Sequence, residues 1–178
     1  MNKKHITPED IRSSIRNIPD FPQPGIQFKD ITPVLGNYNL FHAAINYMCK
    51  GFKPGDVDAV VGIDARGFIF AAAVALKLHT GMVPIRKKGK LPFLTYEQSY
   101  ELEYGSNTIA IHIDAFEKGS RILLVDDLLA TGGTASAAAE LVKKAGGNVV
   151  GIRFLIELSE LNGRNKLSDF PVKSVVVF

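Results

Sequence analysis

Ile122-Leu123-Leu124-Val125-Asp126-Asp127-Leu128-Leu129-Ala130-Thr131-Gly132-Gly133-Thr134 is the stretch on which the reading of this chain turns. An uninterrupted aliphatic run suits a strand buried on both faces, and such strands belong to parallel sheets covered by helices. The run meets two acids, then a small, hydroxyl- and glycine-rich turn, then the start of a helix. In an open parallel sheet the carboxyl ends of the strands border the usual ligand crevice. Gly132 and Gly133 allow backbone N–H groups to approach a phosphate closely. Thr131 and Thr134 add hydroxyls, and a helix N-terminus adds a favourable dipole. Asp126 and Asp127 would repel that same phosphate; they suit ribose hydroxyls, which donate hydrogen bonds, or a metal ion. Both sets on one loop fit a ribose 5-phosphate. A capped helix with solvated acids is the plainer alternative. The other common phosphate motifs, G-x-x-x-x-G-K-[ST] and G-x-G-x-x-G, are absent from the sequence.

Working outward, the same alternation recurs. Val57 to Ile63 reads as a strand followed by a helix over Phe68 to Leu78. Met82 to Arg86 and Thr108 to His112 read as strands. Ser136 to Lys144 reads as a helix ended by Gly146-Gly147, with strands at Val149 to Ile156 and Val172 to Phe178. The expected fold class is α/β, a parallel sheet flanked by helices. Upstream, Thr7-Pro8-Glu9-Asp10 has the form of a helix start. Ile11, Ile15 and Ile18 follow at helical spacing, Pro19 to Pro24 forces a turn-rich stretch, and a second helix runs from about Leu40 to Lys50. Leu91 to Gly105 (LPFLTYEQSYELEYG) has weak periodicity and reads as a long loop of the kind used as a lid, or else as a hairpin packed on the surface.

With 178 residues, the chain is expected to form one domain, residues 1–178. Its 46% apolar and 22% charged residues describe an ordinary globular protein, and a net charge of +3 argues against nucleic acid or membrane as a bulk partner. One cysteine excludes an internal disulfide framework, and Cys49 reads as a small buried hydrophobe. His5, His42, His79 and His112 are scattered and suggest no metal site. No apolar stretch reaches membrane-spanning length, and Met1 to Asp10 lacks the apolar core of a signal peptide, so a cytoplasmic protein is expected.

The decisive loop resembles the phosphoribosyl-diphosphate motif of type I phosphoribosyltransferases, and in the form LVDDLLATGGT it is similar to their adenine-using branch. Four further blocks occur in that family's order: Phe21-Pro22-Gln23-Pro24-Gly25-Ile26-Gln27-Phe28-Lys29-Asp30-Ile31-Thr32-Pro33, Gly62-Ile63-Asp64-Ala65-Arg66-Gly67-Phe68, Arg86-Lys87-Lys88-Gly89-Lys90-Leu91-Pro92, and Tyr100-Glu101-Leu102-Glu103-Tyr104-Gly105. The resemblance covers about residues 7 to 165. Taken alone, the cations at 86–90 would be a solvated face and Arg66 a surface residue in a tight turn.

The resemblance implies transfer of the phosphoribosyl group of 5-phosphoribosyl 1-diphosphate to adenine, giving AMP and diphosphate, with Mg2+ as cofactor. It assigns Asp126 and Asp127 to the ribose, and Ala130, Thr131, Gly132, Gly133 and Thr134 to the 5-phosphate. Asp64, Ala65, Arg66, Arg86, Lys87 and Lys90 fall to the diphosphate, with a cis peptide between Asp64 and Ala65. Phe28 and Leu128 would stack on the adenine, and the backbones of Ile26 and Lys29 would read its edge. Glu103 would handle the base proton, Tyr104 would help close the lid, and Arg66 completes the catalytic set. Mg2+ would be held mainly through substrate and water, without a firm direct protein ligand. A homodimer, a base-binding hood over about residues 1–35 and a lid over about 91–105 are also implied. Phe93-Leu94 depart from the polar lid the family leads one to expect. Three other readings stay open: transfer to xanthine, hypoxanthine or orotate; a non-catalytic regulator that binds phosphoribosyl diphosphate; and a metal-dependent hydrolase built on the two acids.

Overall fold

In the computed structural model, which describes residues 5–101 and 106–178, the decisive strand β7 (Arg121–Leu129) lies between two parallel neighbours, β3 (Ala59–Ile63) and β8 (Asn148–Glu157). The chain divides into two compact units, Met1–Tyr47 and Met48–Phe178.

The second unit holds a seven-stranded sheet of order β5-β6-β4-β3-β7-β8-β9, where β4 is Gly81–Lys87, β5 Thr95–Glu101, β6 Ser106–His112 and β9 Val172–Val177. From β4 to β9 every pairing is parallel. β6 runs antiparallel to β4, and β5 antiparallel to β6, so the sheet is mixed rather than wholly parallel. The reason is the connection. A parallel neighbour needs a crossover helix, and β5 and β6 are too close in the chain to contain one. Helix α4 (Gly67–Lys77) packs on β3, β4 and β7. Helix α5 (Gly133–Lys144) presents Ala135, Ala138, Leu141 and Val142 to a core that includes Val61, Ile63, Leu124, Ile152 and Phe154. The aliphatic runs are therefore buried as continuous runs should be.

Two expectations change here. The strand was expected to stop at the acids, but β7 carries on through them to Leu129, because β8 continues to offer partners as far as Glu157. Residues 95–101 form a strand rather than a loop, in register with β6 from Thr95↔His112 to Glu101↔Ser106. Tyr96 and Tyr100 share one face of it and pack against the core cluster. This period of two was hidden by polar residues on both faces.

In the first unit, α1 (Pro8–Ser14) opens with the expected cap: Asp10 donates its N–H to Thr7 Oγ1 (3.2 Å), and Thr7 donates its own to Asp10 Oδ2 (2.8 Å). Ile11 is buried on the helix and Ile15 at its C-cap; Ile18, placed at helical spacing, is instead in β1 (Arg16–Pro19), which pairs antiparallel with β2 (Gln27–Asp30) across the proline-rich turn. Helices α2 (Thr32–Leu35) and α3 (Tyr38–Met48) follow.

Candidate active site

Three strand ends bring the chemistry together. β3 runs into Asp64-Ala65-Arg66 before α4 begins, and the Asp64–Ala65 peptide is cis, as the resemblance implied. β4 ends in the cationic stretch, and β7 carries the two acids. The backbone N–H of Asp64 donates to the carbonyl of Ile85 (3.0 Å), which ties the first two ends.

The cations rest on carboxylates of neighbouring strands. Arg66 Nη2 lies 2.6 Å from Asp127 Oδ2, and Arg86 Nε donates to Asp64 Oδ2 at 3.2 Å. A second donor of Arg86, Nη1, reaches the carbonyl of Lys90 (3.1 Å), which folds the 86–90 turn onto itself. Lys87 and Lys90 are exposed, and Lys88 pairs with Glu97 of β5 at 2.8 Å. Arg66 with Asp127 and Arg86 with Asp64 thus make two ion pairs at adjoining strand ends. That pairing is what a charge pattern alone leaves ambiguous.

Asp126 and Asp127 are crowded. The backbone N–H of Asp127 donates to Asp126 Oδ1 (2.8 Å), and a side chain on Gly67 would sit 2.5 Å from that same oxygen. The glycine lets the first turn of α4 press against the acid. Burial, and then the neighbouring Asp127 charge, push the Asp126 carboxyl well above the usual carboxylate range. Burial also raises Asp127, with Arg66 pulling the other way. Asp127 is 6% exposed, and despite the Arg66 ion pair its Oδ2 accepts no well-aligned hydrogen bond among the described residues. It is an acceptor suited to a hydroxyl donor.

Beyond the acids, Gly132 adopts φ +78°, and α5 starts without a side-chain cap. Among the described residues no side chain caps its first N–H groups, which suit a ligand or water. Thr134 donates its hydroxyl to Tyr100 of β5 (3.1 Å). Gly133 meets only ordinary contacts, so of the two glycines Gly132 is the one the turn depends on. Ala130 and Thr131 complete the loop in the expected place.

The adenine candidates Ile26, Phe28 and Lys29 belong to the first unit. Phe28 makes an edge-to-face contact with Phe21 at 5.1 Å, and Lys29 Nζ donates to Asn17 (3.2 Å). Leu128 belongs to β7 of the second unit. Glu103 and Tyr104 lie outside the described residues. Two contributors escaped the sequence reading. Tyr100 had a faint signal in the Tyr96/Tyr100 alternation. Gly163 had none, yet its backbone touches the glycine turn: a side chain there would come within 2.8 Å of the Gly132 nitrogen. A cavity of about 590 Å³ lies at the opposite ends of these strands, beside Asp58, Gly81 and Ser120, away from the acids.

The mixed sheet thus brings paired acids and a glycine turn to one strand end. The family model of the phosphoribosyl transferase domain matches residues 41–177, and the chain belongs to that family. It is 54% identical to the adenine phosphoribosyltransferase of Chloroflexus aurantiacus, covering 97% of this chain and all of that one. Among solved structures, the adenine phosphoribosyltransferase of Rhodothermus marinus superposes with a TM-score of 0.92 at 52% identity, over 96% of this chain and 98% of that one. The Saccharomyces cerevisiae enzyme, complexed with an imino-altritol bisphosphate and adenine, gives 0.89 at 38% identity, over 94% and 97%.

Proposed function

We propose that the chain transfers the phosphoribosyl group of 5-phosphoribosyl 1-diphosphate to adenine, giving AMP and diphosphate. The observation that carries this is the juxtaposition at the end of β7 of two acids and the uncapped start of α5. Relatives that are half identical over nearly the whole chain carry the same activity in their names.

In the reaction the bond from the anomeric carbon to diphosphate breaks, and a bond to the purine nitrogen forms. Positive charge develops on the ribose and negative charge on the leaving group, so stabilisation falls to fixed charges around each. Asp126 and Asp127 accept from the ribose hydroxyls. The N–H groups of Gly132, Gly133 and Thr134, with the Thr131 and Thr134 hydroxyls, hold the 5-phosphate. Arg66, Arg86, Lys87 and Lys90 take the diphosphate. Arg66 exchanges Asp127 for a phosphate oxygen, and Arg86 exchanges Asp64; the planar guanidinium suits either partner. Phe28 stacks on the adenine, and Glu103 accepts the proton that the base loses.

No group of three potential metal-ligating side chains exists among the described residues, so the donor set does not form a metal cage. Mg2+ would be carried in by the substrate, held mainly through substrate and water, with the carboxylates of Asp126 and Asp127 available to accept from that water. When bound, Mg2+ supplies charge neutralisation and orientation of the diphosphate.

A homodimer belongs to the same reading. Ile69 and Leu76 stand one heptad apart on the outer face of α4 and are 43% and 78% exposed, on a helix whose remaining positions are almost all apolar.

The test is direct. Protein, Mg2+ and 5-phosphoribosyl 1-diphosphate are mixed with adenine, hypoxanthine, xanthine or orotate, and the nucleotides are separated. AMP from adenine alone is expected; preference for another base, or none, would overturn the reading.

A further inference from the structure

We propose that Arg164 is a positioning residue for 5-phosphate binding. Through Glu157 and Ser174 it anchors the 158–167 segment, so that Gly163 braces the backbone of Ala130–Gly132. The proposal rests on the functional reading above and adds residues outside the loop to it.

The contact is backbone against backbone. A side chain built on Gly163 would overlap the carbonyl of Ala130, and one built on Gly132 would overlap the carbonyl of Gly163. Each backbone limits how far the other can move towards it. Gly163 follows Asn162, whose φ of +52° turns the chain sharply into the 3-10 helix Gly163–Leu167.

What holds the turn is the next residue. Arg164 Nε donates to Glu157 Oε1 (2.9 Å), Nη2 donates to Oε2, and Nη1 donates to the carbonyl of Val172 (3.0 Å). Ser174 Oγ donates to Glu157 Oε2 at 2.6 Å. Glu157 is 7% exposed and stands opposite Leu129 in the β7–β8 register, the last pair before the phosphate loop. The N–H of Leu158 donates to the Leu129 carbonyl (2.9 Å), which pins the segment to the same point. The brace thus runs from β9 and the end of β8, through Arg164 and Gly163, to the turn that must stay open for a phosphate. A fork with three donors in one plane makes all these contacts at once; an ammonium could make only part of them.

The experiment compares wild type with Arg164→Gln, Arg164→Lys and Gly163→Ala in steady-state kinetics, AMP and ribose 5-phosphate binding by calorimetry, and thermal melting. For Arg164→Gln and Gly163→Ala, KM for 5-phosphoribosyl 1-diphosphate and Kd for AMP are expected to rise about tenfold or more, with KM for adenine within about twofold. Arg164→Lys should recover part of the loss. A residue that only supports the fold would lower melting temperature and kcat and leave the KM ratio of the two substrates unmoved. Unchanged KM and Kd in Arg164→Gln would overturn the proposal, and that variant decides alone should Gly163→Ala not fold. If wild type makes no AMP, it is the functional reading that has failed; ribose 5-phosphate binding by the same proteins then still decides the brace.

Discussion

Gly132 and Gly133 look interchangeable in the string Ala-Thr-Gly-Gly-Thr, and the fold separates them. Gly132 sits at φ +78° with the Gly163 carbonyl against it, whereas nothing lies within 3.5 Å of a side chain built on Gly133. A residue with a Cβ in the left-handed region costs of order 1–3 kcal/mol where the surroundings allow no escape. Gly132→Ala should therefore lower unfolding free energy by at least about that amount, since the Gly163 carbonyl blocks the new methyl as well, and weaken AMP binding. Gly133→Ala should leave chemical denaturation nearly unchanged. Measuring both variants in one denaturant series checks the distinction. The acids were legible at this scale as a pair, and their roles remain tied to the family. What the letters could not carry is the arrangement of the cations: Arg66 on Asp127 and Arg86 on Asp64 join residues far apart in the chain.

At the scale of elements, the parallel core was readable because its apolar runs are continuous, and α5 because it opens on glycine and ends before Gly146-Gly147. Strand β5 was not, since both of its faces carry polar residues and only Tyr96 and Tyr100 mark the inner one. The start of β7 is fastened to β3 by Asp58, whose carboxylate accepts from Arg121 Nε (3.0 Å), Nη2 (2.6 Å) and the Arg121 backbone N–H (2.7 Å). Hydrogen bonds from Arg121, side chain first and backbone second, draw the Asp58 pKa down to about 2. The folded value lies below the ordinary value of 3.8. The stabilisation is thus present above about pH 4 and is lost as pH falls towards about 2. Asp58→Asn should melt below wild type at neutral pH. The gap between their melting temperatures should close over that acidic window, which a pH series of melting curves would show.

At the scale of the molecule, the chain forms two compact units, and the residues read for adenine fall on both. No local pattern marks such a division. The five motif blocks do span it, and this is why the family could be named where the adenine contacts could not be derived. The outer face of α4 belongs to this scale too. A helix that is apolar nearly all round is one made to be covered. On the proposed homodimer, Leu76→Asp should shift the protein from dimer to monomer in sedimentation velocity, with melting of the individual chain little affected; a wild type that sediments as a monomer would refute that dimer.

The run of β7 past its acids has a consequence for the sugar. Because Asp126↔Phe154, Leu128↔Ile156 and Leu129↔Glu157 are all paired, the backbone that carries the two carboxylates is held in the β7–β8 ladder. On the proposed ribose role of these acids, a 2-deoxy analogue would leave a buried carboxyl without its hydroxyl partner, and polar sites built for a hydroxyl reject its absence far more strongly than an apolar pocket rejects a missing methylene. Discrimination between ribo- and deoxyribo-compounds would then be a property of strand length.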